Sequence, residues 1–340
     1  MVLQKKFRID GNLKKQYIRY YIYIVLTLLA GMFNYVLIGQ NKPSCFLLIS
    51  VGYIPVALFM AFEKKLSLKF VWSALWLFGA LWIFVRYMRY GYLSEHHSRN
   101  YVSITLFVLF FFYIYHRESC NKSISILWYV FFCVGCVMAI GRGGILAAGL
   151  NLILVIARRY IKIEENKRKL DRNSMLQCIL LVVSVMLVAS IILKNATWIE
   201  LHVLPRFFVQ NTTKSNMKRV MMLKIYLMEM KKLKSFAFGT NTMKMQYANM
   251  YAGNVHNAFL QTHAEFGIIG LIIVLYGAWF GCIRLFQSKY KETSIILLCF
   301  FVRSLTDDAW RYEFGTILVC FSIFVAIIWK NESKDFLIFE

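Results

Sequence analysis

The chain has 340 residues, 59% of them hydrophobic and 17% aromatic, with a formal charge of +23 and a mean hydropathy of +0.56. A soluble domain of this size would not carry that much apolar surface. Nucleic acid is not the expected partner of the positive charge, because Lys and Arg sit in short blocks between apolar runs of membrane-spanning length rather than along one basic face.

Apolar runs fall at about 20–38, 45–62, 70–85, 101–115, 124–140, 143–157, 175–193, 266–286, 293–305 and 314–329, which predicts about ten transmembrane helices. Lys5, Lys6, Arg8, Lys14, Lys15 and Arg19 precede the first run, and Lys64, Lys65 and Lys69 follow the second. Basic blocks again follow the fourth run (Arg117, Lys122), the sixth (Arg158, Arg159 and onward), the eighth (Arg284, Lys289, Lys291) and the last (Lys330, Lys334). A basic block after every even-numbered run puts both termini in the cytoplasm. The first run follows a long basic leader without a small-residue cleavage pattern, so it is expected to remain as a helix. The fold class is thus an all-α integral membrane protein, a single polytopic domain over 1–340. The ninth run is short and carries Arg303 near its end.

From 124 to 157 the only charge is Arg142. As one helix this stretch would be ~50 Å long against a hydrocarbon core of ~30 Å, so it must turn back. Gly141, Arg142, Gly143 and Gly144 are placed at the turn, on the outer face, where Arg142 either snorkels to water or holds an anion. Topology also puts 194–265 outside, a loop far longer than the other external connections. Within it 216–235 is predicted helical, with lysines and arginines interspersed among apolar residues and no clean apolar stripe. It is read either as an interfacial helix on anionic lipid or as a carrier of cations for a phosphorylated ligand.

Chemistry is bounded by what is scarce. No Asp or Glu lies mid-run and no strongly buried basic residue is expected, which lowers a transporter reading. Asp307 and Asp308 lie beside Arg303 and Arg311, where charge pairing accounts for them at least as well as metal binding. Cys133 and Cys136 have CxxC spacing without a second pair or a nearby His, so they are read as packing residues. Metal-independent chemistry without a cofactor is expected. The outer face does offer Arg142, the loop cations and His256. An arginine fork matches phosphate oxygens, and a histidine near its ordinary pKa of about 6.5 takes a hydroxyl proton at neutral pH. Together these describe transfer from a pyrophosphate donor to an alcohol, although a lone His at a helix start also serves as a polar cap. His263 lies seven residues beyond His256, on nearly the same face if one helix runs through both.

Three stretches, AIGRGGILAAGLNLILV around Arg142, RVMMLKIYLMEMKKLKSFAFGT from Arg219 and VHNAFLQTHAEFGIIGLI around His256, resemble in order and side the O-antigen ligase and O-antigen polymerase (Wzy-like) superfamily of bacterial membrane glycosyltransferases. The resemblance implies a GT-C-like fold in the cytoplasmic membrane with an extracytoplasmic site. It implies that Arg142 and Arg219 bind the pyrophosphate of an undecaprenyl-linked glycan, with Asn257 beside them, and that His256 activates the acceptor hydroxyl for inverting transfer. Arg206, His263 and Glu265 are further candidates, and Arg206 competes with Arg219 for the second arginine. Departures from the family pattern are Gly141 in place of a Ser, and Phe238, Gly239, Thr240 in place of a Gly-x-Gly. The implied role is polymerisation of lipid-linked repeat units into capsule, exopolysaccharide or O-antigen. Partners are then a glycan donor and acceptor, membrane lipid, a chain-length regulator and a flippase. A ligase delivering glycan to an acceptor such as lipid A core has the same site, and a precursor flippase or a non-catalytic scaffold are the readings from other classes.

Overall fold

A computed structural model describes residues 11–40, 42–57, 78–79, 81–82, 85, 99–139, 141–160, 210–245, 255–309 and 315–323. All regular structure among them is helical. Most of the third run, all of the seventh, the end of the tenth, and Arg206 lie outside the described residues. The helices are α1 (Gly11–Leu37), α2 (Pro43–Leu47), α3 (Arg99–Ser119), α4 (Ile126–Met138), α5 (Arg142–Tyr160), α6 (Gln210–Glu229), α7 (Leu233–Phe238), α8 (Ala258–Gln287), α9 (Lys291–Ser304) and α10 (315–323). A wider π-helical turn, Leu48–Tyr53, continues α2. The chain forms two compact units. Unit 1 takes Met1–Lys64, Met222–Leu285 and Trp310–Glu340, and unit 2 takes Lys65–Met221 and Phe286–Ala309.

Unit 2 is built on α3, α4, α5 and α9. Its core is aromatic: Phe107 meets Phe132 edge-on at 4.7 Å, and Phe110 stacks on Phe132 at 4.5 Å. Close van der Waals fit and small residues carry the packing. Ala147, Ala148 and Cys136 are buried accordingly, and the half-buried Cys133 thiol donates to the Ala148 carbonyl. Both cysteines are free, as the packing reading requires.

α4 ends at Met138 and α5 already begins at Arg142, so Gly143 and Gly144 lie past the connection rather than in it. Arg142 opens α5, and Gly143 and Gly144 lie inside it. Close approach explains these two glycines better than turning does. A Cβ on Gly144 would stand 2.6 Å from Ser103 Cβ of α3, and one on Gly143 would stand 2.5 Å from Thr306 Oγ1 just beyond α9.

At the opposite end of the same unit the polar residues converge. Glu118, near the end of α3, accepts from Glu292 N at 2.8 Å, Thr293 N at 2.9 Å and Thr293 Oγ1 at 2.6 Å, which satisfies open N–H groups in the first turn of α9. Glu292 receives a two-pronged bond from Arg159, Nε at 2.7 Å and Nη2 at 2.8 Å, as well as the Tyr129 hydroxyl. Lys289 donates to the Ser119 carbonyl. The end of α3, the end of α5 and the start of α9 therefore share one side, and their other ends share the opposite side. These helices alternate in direction as the charge pattern requires, and the short ninth run is confirmed as a helix.

Unit 1 centres on α8, which is long and apolar enough to cross a membrane. Shorter apolar helices are found at Tyr21–Leu37, Pro43–Ala57 and Ile126–Met138. α8 is kinked at Gly267, whose φ of 65° and ψ of −165° are not helical. Beyond the kink about 20 residues remain, ~30 Å at 1.5 Å per residue, which matches a hydrocarbon core. The first two turns form a separate segment held by polar bonds. Asn34 of α1 donates its amide to Phe238 O at 2.8 Å and to Ala264 O at 2.7 Å. Thr240 N also donates to Ala264 O, a carbonyl that the kink releases from its own helix. Beneath these bonds Ala30, Phe46 and Phe266 form a small apolar core.

Candidate functional site

In unit 1 the site residues sit where a loop enters α8. Asn257 caps the helix: its Oδ1 accepts from Phe259 N at 3.0 Å and Leu260 N at 3.1 Å. His256, the residue before, adopts a left-handed conformation with φ 53°. Such a backbone is rare outside glycine, though His is among the residues that tolerate it. It fixes the ring outside the helix, so His256 and His263 do not share a helical face. Val255 is buried and donates its N–H to Gln261 Oε1 at 3.4 Å, and Gln261 in turn donates to Glu265 Oε1 at 2.9 Å. Glu265 thereby orients the glutamine that pins the chain just ahead of His256.

His263 is wholly buried. Its Nε2 lies 2.9 Å from the Phe236 carbonyl, which only accepts, so Nε2 carries the proton. In the neutral ring Nδ1 then accepts from the Tyr226 hydroxyl at 2.7 Å, and that hydroxyl also lies 2.9 Å from the Leu260 carbonyl. Burial pushes the Tyr226 phenol up, so it stays neutral. His263 is a clasp joining α6, α7 and α8.

The loop helix differs from the one expected over 216–235: α6 ends at Glu229, a turn follows, and α7 is separate. It also has two faces where no stripe was expected. Arg219, Met222 and Tyr226 turn inward, Met222 and Tyr226 being almost fully buried. Met217, Val220, Met221, Leu227 and Met228 are exposed at helical spacing, with Lys224 among them. In linear reading the two apolar sets interleave and hide one another.

In unit 2 the structure brings arginines together at the end formed by the start of α5 and the end of α9. Arg142 opens α5, and the next residue, Gly143, lies against Arg303 and Thr306. Arg219 donates from Nη1 to the Thr306 carbonyl at 3.3 Å. Arg303 is 2% exposed, a correction to the expectation that no basic residue is strongly buried. Its Nη2 meets Asp307 Oδ2 at 3.3 Å and its Nη1 meets Thr306 Oγ1 at 3.1 Å. The pairing expected of Asp307 with Arg303 is thus present, with Arg303 in the last turn of α9 and Asp307 just beyond it. Sequence reading underrated Arg303 and Thr306, although an arginine closing an unusually short apolar run was the available signal. Asn34 and Tyr226 had no signal of their own.

A protein helical throughout its described residues, with arginines gathered at one end of a bundle of oppositely directed helices, is the class that these features define. Residues 126–275 match the family model described as O-Antigen ligase, and this match places the stretch in the O-antigen ligase and polymerase superfamily, whose function is of the glycan ligase or polymerase type. The matched segment contains Arg142, Arg206, Arg219, His256, Asn257, His263 and Glu265. No curated protein matches the chain.

Proposed function

We propose that this protein joins undecaprenyl-pyrophosphate-linked oligosaccharide repeat units into a surface polysaccharide, capsule, exopolysaccharide or O-antigen, at the outer face of the bacterial cytoplasmic membrane. The observation that carries this reading is that one family match spans all three residues the chemistry needs, Arg142, Arg219 and His256. In this mechanism the two arginines take the pyrophosphate. Their charge stabilises the negative charge that develops on the leaving group as the anomeric C–O bond breaks. His256 removes the proton from the acceptor hydroxyl, which attacks the anomeric carbon from the opposite side, so the configuration inverts. No metal or cofactor is assigned a step. Asn257 holds the backbone beside His256, since its side-chain oxygen is committed to the helix cap.

The description of the matched family as a ligase favours a second reading, transfer of finished glycan to an acceptor such as lipid A core by the same chemistry. The size distribution of surface and lipid-linked glycan distinguishes the two. It is to be measured in a deletion strain complemented with wild type or His256→Ala at matched membrane expression. A ladder that collapses to single repeat units in the mutant supports the polymerase. Full-length polymer accumulating on the lipid carrier would transfer the assignment to the ligase, and an unchanged ladder would remove His256 as the base. A flippase would move lipid-linked sugar without changing its size.

A further inference from the structure

Two basic side chains, Arg219 and Arg303, meet the short segment that follows α9, and Arg142 stands next to Gly143, which packs against it. Arg303 is almost wholly enclosed: its Nη1 and Nη2 are held by Thr306 Oγ1 and Asp307 Oδ2, while its buried Nε has no hydrogen-bond partner among the described residues. Thr306 is fixed from two sides: its hydroxyl donates to the Arg303 carbonyl at 2.9 Å and accepts from Arg303 Nη1 at 3.1 Å. The carbonyl of the same Thr306 receives Arg219. Gly143, next to Arg142, leaves the room that this arrangement occupies, because a Cβ there would lie 3.0 Å from Arg303 Nη1 and 2.5 Å from Thr306 Oγ1. Arg219 comes from the loop helix and Arg142 from α5, so nothing local in sequence sets one against the other. Thr306 is the point that both segments touch.

We propose that Arg303 is a positioning residue for the anion-binding arginines: by holding Thr306 it fixes the carbonyl on which Arg219 rests, and so sets the Arg219 guanidinium beside the start of α5. The assignment rests on the reading of Arg142 and Arg219 as pyrophosphate ligands. Arg303 itself does not touch the ligand. Its fork geometry is required, since one planar guanidinium reaches Thr306 and Asp307 together, whereas a lysine ammonium presents a single point charge. Burial keeps this arrangement rigid.

The test is a double-mutant cycle read by binding of inorganic pyrophosphate to the purified full-length protein in detergent, followed by calorimetry, with size-exclusion profiles confirming that each variant is folded. Thr306→Val removes the hydroxyl while keeping volume and backbone carbonyl, and it is expected to weaken pyrophosphate binding about tenfold, the scale of one hydrogen bond to a charged group. Arg303→Lys is expected to weaken it similarly. In an Arg219→Ala background, itself weakened more than tenfold, Thr306→Val is expected to add nothing, because its effect passes through Arg219. If Thr306→Val weakens binding equally with and without Arg219, or has no effect, the positioning role is overturned while the function stands. If Arg219→Ala binds pyrophosphate as wild type does, the assignment of Arg219 in the proposed function falls, and the positioning role falls with it.

Discussion

Gly267→Ala puts the kink of α8 under direct test. At φ 65° and ψ −165° the backbone is in a region that is essentially glycine-only, and holding another residue there costs about 1–3 kcal/mol. A Cβ at this position would also lie 2.9 Å from Phe238 Cα and closer still to the Ala237 carbonyl oxygen. Both neighbours are backbone, so no side chain can swing away, and such overpacking adds a further ~1–3 kcal/mol. Gly149 in α5 is the control, because a Cβ there meets nothing within 4 Å and helical Gly→Ala gains roughly 0.5–1 kcal/mol. Thermal stability of the fluorescently tagged protein, read by size exclusion after heating in detergent, compares the two. At roughly 2 °C per kcal/mol for a chain of a few hundred residues, Gly267→Ala is expected to melt about 4–12 °C below wild type and Gly149→Ala at or slightly above it. Equal melting of Gly267→Ala and wild type would refute the account of the kink, and with it the claim that the first turns of α8 are held apart from its long apolar part.

Asn34→Ala removes two amide donations to Phe238 and Ala264. It should cost about 1–3 kcal/mol, since the Phe238 carbonyl loses a partner in a half-dry site, and the same heating assay measures it. Glu292→Ala removes the carboxylate that receives both prongs of Arg159 and the Tyr129 hydroxyl. A loss of about 3–5 kcal/mol is expected, large enough to lower the yield of monodisperse protein. Glu118, beyond the apolar run of α3, has its carboxyl raised above the ordinary carboxylate range, chiefly by burial. It binds its proton more tightly folded than unfolded, so its contribution to stability is full below the ordinary value and is lost as pH rises through the raised one. Melting temperatures taken across that window should fall less steeply for Glu118→Gln than for wild type, and parallel curves would count against it.

The all-helical class, the opposed directions of α3, α5 and α9 and the hairpin around Arg142 were legible in the sequence, because each rests on a local quantity. A run of apolar residues is set by the thickness it must cross, and charge blocks are set by which end meets water. Tertiary structure decided what depends on partners remote in sequence. Gly143 and Gly144 look like a turn in isolation and become close-packing positions only when α9 and α3 stand against α5. The loop helix looks unstriped until one face is given to Met222 and Tyr226, and the other is then seen as a row of exposed methionines and leucines. Arg303 reads as an end-of-helix charge until Asp307 and Thr306 enclose it. His263 looks like a second candidate base, yet its two nitrogens are taken by Tyr226 and the Phe236 carbonyl. Residue type and spacing thus set which chemistry the chain can perform, whereas which polar groups stay available for it follows from hydrogen bonds that close only between distant segments.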